Sequence, residues 1–382
     1  MFLLVFTMFT VPLPHMLYLV LKYAALGYLF IKYVFGTIKR NKLLFFLISG
    51  YGIVVLYSTI INKLGIGSIT SAIGYVVQIA DIYFMMCTSM NRLQRKIDNL
   101  FQILLGFAII TDVLIFVLPY DPSQPAVQYF VGTKFTVSYL HGALVCLYEY
   151  RRINGRARYR CISYALLALS ILVTRLVQCT TGTIMCFAIL LMCFIPRRIW
   201  KLLCSWQAIA ILSGGMLLLI FGEMTILNDE RLIRFITNLF KKNANLTGRT
   251  IIFKYLPLIV VRKPFLGYGY YNTVIADYMG TVGANPQNGF MKIIVDSGFV
   301  GFMFYIALML LSTRCCWKIR KKGFPLLMFL YAMLLASSME INLTGSLFYL
   351  TLAMIYACSM SKEECNDLRA AEECTLEKLN AI

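Results

Sequence analysis

Apolar runs of about 20 residues recur along nearly the whole chain, and a run of that length crosses about 30 Å of hydrocarbon as a helix. They fall at about 16–36, 43–61, 66–89, 99–119, 127–148, 159–175, 177–195, 199–221, 288–311, 325–340 and 343–360. Within lipid every backbone N–H and C=O must be bonded inside the protein, so only helices and closed barrels can span. No segment of roughly ten residues alternates apolar with polar as a barrel strand does. The expected fold is an all-α polytopic membrane protein of about 11–12 transmembrane helices. Composition agrees, with 60% hydrophobic residues, 14% charged and a mean hydropathy of +0.75, well outside the range of a soluble domain.

Charge sets the expected orientation. The connections "TIKRNK" (37–42), "NRLQRKID" (91–98), "RRINGRARYR" (151–160), "PRRIWK" (196–201) and "RCCWKIRKKG" (314–323) are basic, whereas the alternating "INKLG" (61–65) and "PYDPSQP" (119–125) carry one basic residue and none. The positive-inside bias assigns the basic set, and the polar tail from about 361, to the cytoplasm. Anionic lipid headgroups and this bias absorb most of the excess of 36 basic over 17 acidic residues, so the +19 charge is no argument for nucleic acid. The twelve cysteines, including Cys87, Cys146, Cys161, Cys186 and Cys193 inside spans, show no paired metal spacing and read as small packing residues. The start, "MFLLVFTMFTVPLPHM", lacks a basic n-region and an obvious cleavage site, so no removable signal peptide is expected.

One connection is exceptional. About 65 residues separate Phe221 from Asn288 on the outer side, and Arg231, Arg234, Lys241, Lys242, Arg249, Lys254, Arg262 and Lys263 cluster there, where few basic residues are expected. An anionic partner outside the membrane, lipid or phosphorylated substrate, is the natural counterpart. The expected organisation is an N-terminal transmembrane bundle (1–221), an external loop with an interfacial helix (222–287), C-terminal transmembrane helices (288–360) and a cytoplasmic tail (361–382).

The order of motifs from there is distinctive. Gly248-Arg249 precedes a hydrophobic helix, then come Pro264-Phe265-Leu266-Gly267-Tyr268-Gly269, Pro286-Gln287-Asn288-Gly289, and a span holding Gly298-Phe299-Val300-Gly301. This order resembles the bacterial O-antigen ligase and polymerase family, which usually shows Gly-Arg, Pro-Leu-Leu-Gly-x-Gly, and Pro-His-Asn before a span with Gly-x-x-Gly. "TRLVQCTTGT" (174–183) resembles that family's small-residue and arginine segment, although here the arginine precedes the Thr-Gly strip.

The resemblance implies a bundle of the GT-C glycosyltransferase type and glycosyl transfer from an undecaprenyl-diphosphate-linked oligosaccharide at the outer face of the cytoplasmic membrane. It implies no metal or nucleotide-sugar cofactor, and membrane lipids, a flippase and a chain-length regulator as partners. An acceptor hydroxyl would attack the anomeric carbon with inversion while lipid diphosphate leaves. Fixed guanidinium groups suit the charge that grows on that leaving group, which makes Arg175 and Arg249 the leading candidates and Arg262 a third. Where the family commonly carries histidine this chain has Gln287, which cannot accept a proton at neutral pH and so would hold the acceptor by hydrogen bonds.

Asn288, Lys292 and Asp296 follow at steps of four and share a helix face, either as a polar wall for a sugar cavity or with Lys292 and Asp296 as an internal ion pair. Glu340 and Asp277 are acids that could assist an acceptor hydroxyl, and Tyr268, Tyr270 and Tyr271 could stack on sugar or sit in an interfacial aromatic belt. Asp112 and Lys134 map to the outer halves of their helices, and Asp81 lies deeper without a functional reading. His15 and His141 read as structural residues, His141 toward the inner half of its helix. The leading expectation is a polysaccharide polymerase (capsule, exopolysaccharide or O-antigen). The alternatives are a ligase that moves finished glycan to a lipid or protein acceptor, and a transporter of lipid-linked glycan.

Overall fold

The computed structural model describes residues 1–88, 92–118, 128–226, 249–280, 284–320 and 322–361. Much of the long external connection and all but the first residue of the tail therefore lie outside the described residues, as does the acidic-to-neutral connection 119–125.

Among the described residues the chain is helical, with one isolated bridge between Tyr129 and Gly132. We number the helices α1 Phe2–Met8, α2 His15–Arg40, α3 Lys42–Ile61, α4 Ile66–Cys87, α5 Leu93–Val117, α6 Lys134–Ile153, α7 Arg160–Leu176, α8 Thr180–Cys193, α9 Arg197–Leu203, α10 Trp206–Ile226, α11 Arg249–Arg262, α12 Val274–Met279, α13 Gly289–Thr313, α14 Phe324–Ala336 and α15 Ser346–Ser361.

Length and composition mark five of these as able to cross a membrane: α2, α3, α4, α5 and α13, the last counted through Ile319. A bent pair, α9 with the first part of α10, would make six, and α8, α14 and α15 are shorter apolar helices. The expected eleven are therefore present as helices but are not equivalent. α6 explains why. It is buried from Val137 through Tyr150, enclosed by α5, α7, α8 and α14, and so can carry His141 and Glu149 without meeting lipid. α14 is likewise buried over all but one of its 13 residues. The outer helices instead turn large apolar side chains outward, among them Ile31, Phe35, Phe46, Val117 and Ile211, as a lipid-facing surface does.

The span expected at 199–221 divides. α9, "RRIWKLL", buries none of its residues and meets α10 at 70°. Ser205 begins the new helix, its Oγ accepting from Ala208 N–H at 3.2 Å as an N-cap does. A segment with three basic residues in its first five lies across the end of the bundle more cheaply than within it.

The basic connections meet at one end. Tyr356 and Asn41 share a hydrogen bond of 3.1 Å, Gln94 donates to Tyr150 Oη at 2.8 Å, and Arg151 and Arg156 both bond Asp98. Asn154 Nδ2 reaches the Lys322 carbonyl at 3.3 Å on the same side. The opposite end holds the candidate site.

Candidate functional site

The Pro264–Gly269 turn is built into a break in α13. Gly298 has φ 64° and ψ −172°, which interrupts the helix after Ser297. In an unbroken helix the carbonyls of Val295 and Asp296 would accept from the N–H groups of Phe299 and Val300. Here Tyr268 and Gly269 donate to those two carbonyls, each at 2.8 Å, while Phe299 and Val300 donate to Pro264 and Phe265 carbonyls at 2.8 and 3.2 Å. The turn thus replaces, bond for bond, these two helical hydrogen bonds that the break removes. The glycines follow from this geometry. A Cβ on Gly267 (φ +66°) would stand 2.5 Å from the Val295 oxygen, and one on Gly298 would stand 2.2 Å from the Phe265 carbonyl.

Loop and helix are tied further by side chains. Ser58 Oγ donates to the Asp296 carbonyl at 3.1 Å, Asn62 Nδ2 to the Gly267 carbonyl at 3.2 Å, and Thr59 Oγ1 accepts from Tyr270 N–H at 2.9 Å. Lys263 donates to Asn62 Oδ1. The buried Asp296 carboxylate accepts from Lys292 Nζ at 2.7 Å and Asn272 Nδ2 at 2.8 Å. Lys292 and Asp296 therefore form an internal pair that fixes the loop to the helix.

The polar strip before α13 has three separate duties. Asn288, fully buried, caps the helix, its Oδ1 accepting from Phe290 and Met291 N–H at 3.0 and 3.1 Å. Gly289 N–H bonds the Ser337 carbonyl at 2.8 Å and docks this helix start on the end of α14. Gln287 is half-buried and adopts φ 53°, the left-handed region, with its N–H held by Asn285 Oδ1 at 2.9 Å.

Beside this strip lies a cavity of about 620 Å³, within the range of about 300–1,000 Å³ usual for small-molecule sites. Its described walls come from α1, α2, α4, the start of α6, Tyr270, Tyr271 and Asn285, Met333 of α14 and the segment 340–347. Tyr23, Tyr75, Tyr139 and Tyr270 give it aromatic surface, and Lys22 and Glu340 are its charged side chains. Tyr75 is held from behind, its hydroxyl 2.6 Å from Tyr349 Oη and 3.2 Å from Tyr51 Oη. Its ring stacks on Tyr270 at 4.7 Å with planes 15° apart. Burial, reinforced by the Asp296 charge, pushes the Tyr270 phenol well above its usual range, so it stays a neutral hydroxyl.

Of the residues singled out in the sequence, Tyr270, Tyr271 and Glu340 line this cavity, and Asn285 links it to Gln287. The others are distributed around it. Arg175 is exposed at the last turn of α7, at the same end of the bundle as the cavity but outside its wall. Arg249 opens α11, with its side chain outside the described residues. Arg262 lies over the Tyr278 ring at 5.2 Å. Tyr268 donates to the Ile259 carbonyl at 2.9 Å and faces the small core between α11 and α12. Asp277 is exposed and accepts from Thr273 Oγ1 at 3.0 Å at the start of α12.

Lys22, Tyr23, Tyr75 and Gln78 were not legible as site residues, because they sit on membrane helices remote in sequence from the motifs. His15 is exposed at the start of α2. His141 falls in the first half of α6, not toward the inner end, because the helix starts at Lys134 and not at the start of the apolar run, 127. Its Nε2 is 3.0 Å from Asp112 Oδ1 and it is 3% exposed, a satisfied buried pair outside the cavity. Among the described residues no group of three or more His, Cys, Asp or Glu is placed to hold a metal ion.

A comparison with curated proteins finds no match. The family model described as O-antigen ligase matches residues 161–306, a stretch that runs from α7 through the Pro264–Gly269 turn and past the break at Gly298. Over that stretch the chain is similar to the O-antigen ligase family, and its described helices include five long and apolar enough to cross a membrane.

Proposed function

We propose that this protein is a polysaccharide polymerase that joins undecaprenyl-diphosphate-linked oligosaccharide units at the outer face of the cytoplasmic membrane. One observation carries the reading: the family-matched stretch contributes Tyr270, Tyr271 and Asn285 to the wall of the 620 Å³ cavity, which opens at the end of the bundle opposite the basic connections. The positive-inside bias puts that end outside. An apolar body with a few converging polar groups suits a sugar, whose ring faces stack on tyrosine and whose hydroxyls need donors and acceptors.

In the proposed reaction an acceptor hydroxyl oxygen forms the new bond to the anomeric carbon as the bond from that carbon to the diphosphate oxygen breaks, inverting the centre. The diphosphate departs with the electron pair. Glu340, the carboxylate in the cavity wall, takes the hydroxyl proton, and Gln287 orients the acceptor. Arg249 and Arg175 stabilise the charge growing on the departing diphosphate, with Arg262 as an outer contact. Asn288 and Tyr268 act by holding the loop and helix that frame the cavity, and Asp277 by fixing α12.

The test is reconstitution of the protein in lipid with undecaprenyl-diphosphate oligosaccharide alone, separating products by size and assaying released lipid diphosphate. A ladder of longer glycans with stoichiometric release is expected. No ladder and no release, with donor bound, would overturn the polymerase reading. Adding candidate acceptors would then separate a ligase, which would release lipid diphosphate, from a transporter, which would not.

A further inference from the structure

At the basic end of the bundle a second cavity, of about 320 Å³, lies between α6, α7, the end of α8, α9 and the start of α14. Three arginines from three helices line it: Arg152, Arg160 and Arg197. The carboxylate in its wall, Glu149, is engaged by Arg152, whose Nε and Nη2 both donate to Oε2, at 3.0 and 2.8 Å. Arg160 has only a long contact of 3.4 Å to the Cys193 carbonyl and lies over the Tyr164 ring, and Arg197 lies over the Trp200 ring. Neither makes an ion pair with a carboxylate among the described residues.

The wall that carries Arg197 is firmly placed. Trp200 Nε1 donates to the Ile195 carbonyl at 3.1 Å, and its ring stacks on Phe324 at 4.3 Å. Beneath the arginines, Phe187 and Leu191 on α8 and Phe194, which caps it, are all exposed at spacings of four and three residues. A cationic cavity above an apolar stripe matches the two chemistries of a phospholipid. Basic pockets between helices on the cytoplasmic side recognise anionic headgroups, and guanidinium groups bind phosphate through paired donors.

We infer that this cavity is a specific site for an anionic phospholipid of the inner leaflet, its phosphate held by Arg160 and Arg197 and its acyl chains laid along Phe187, Leu191 and Phe194. The site is independent of the glycan reaction proposed above. A free phosphate would use the arginines without the stripe. Generic attraction of a basic surface to lipid would engage Arg198 and Lys201, which share α9 but do not line the cavity.

The full-length protein is purified from phosphatidylglycerol-containing nanodiscs, and retained lipid is counted by native mass spectrometry. Arg160→Gln with Arg197→Gln should lower phosphatidylglycerol retention roughly tenfold or more, as loss of two charge-assisted contacts predicts. Arg198→Gln with Lys201→Gln should leave it near the wild-type level. Equal loss in both doubles, or no loss in either, would overturn the site, as would displacement of the lipid by inorganic phosphate. On the wild-type protein, which removes any question of folding, a photoactivatable phosphatidylglycerol should label the end of α8 and α9. Labelling spread evenly over the outer helices α2 and α5 would defeat the inference.

Discussion

The α-carbon of Gly298 faces the carbonyl of Phe265 so closely that a methyl group on it would stand 2.2 Å from that carbonyl's carbon and oxygen. Gly298→Ala therefore has two faults at once, an overlap with backbone and a φ/ψ pair open essentially only to glycine. It should destabilise the protein by more than about 3 kcal/mol. Thermal unfolding in detergent checks this, and an unchanged midpoint would show that the turn and the helix break are not joined as described.

Asp296→Ala leaves the half-buried Lys292 without its partner. Breaking such a pair from one side typically removes about 3–5 kcal/mol. The double variant Lys292→Met with Asp296→Leu should recover most of that loss, because neither charge remains to be desolvated. Equal destabilisation in the single and double variants would mean that the pair is immaterial and that Asn272 alone holds the loop.

Glu340→Gln keeps the shape of the side chain and removes its proton-accepting ability. Release of lipid diphosphate should fall about 10²–10⁴-fold, with the unfolding midpoint nearly unchanged. Undiminished turnover would remove Glu340 from proton transfer.

Arg249→Ala should abolish polymer while the protein stays folded and inserted, and polymer of normal length in that variant would take Arg249 out of the mechanism. Gln287→Ala should reduce turnover without moving the pH profile. A shifted profile would contradict a purely orienting role.

Asp81, wholly buried in α4, has neither carboxylate oxygen hydrogen-bonded among the described residues. Burial of an unpartnered polar group opposes folding by about 1–3 kcal/mol, so Asp81→Leu should raise the unfolding midpoint. A lower midpoint would show that the carboxyl has a partner that stabilises the fold.

The membrane architecture was legible because lipid imposes length and apolarity on the helices it touches, as in α3 and α13. It was less legible for α6 and for the α9–α10 bend, since a helix enclosed by other helices is free of that rule and a basic stretch such as "RRIWKLL" reads as part of a span when averaged over twenty residues. The site divides in the same way. Tyr270 and Glu340 could be chosen from the motifs and from the rarity of acids in spans. Tyr75, Gln78 and Lys22 belong to the cavity only because α2 and α4 bring them to the same space as Tyr270, Tyr271 and Asn285, a long-range juxtaposition that local pattern does not encode. Of the spacing Asn288, Lys292, Asp296, the last two share a helix face and pair to brace the loop, whereas Asn288 has extended backbone and turns its side chain back to cap the helix.

The splice between the Pro264–Gly269 turn and α13 is made by main-chain atoms alone. Side chains at Phe265, Leu266 and Tyr270 take no part in those four bonds, whereas Gly267 and Gly298 lie where the two backbones pass too closely for a Cβ. Such a frame lets the side chains on the outer surface of the turn diverge while its scaffold stays constant, so a descendant of this protein could change what that surface binds by point substitution without having to rebuild the membrane helix that carries it.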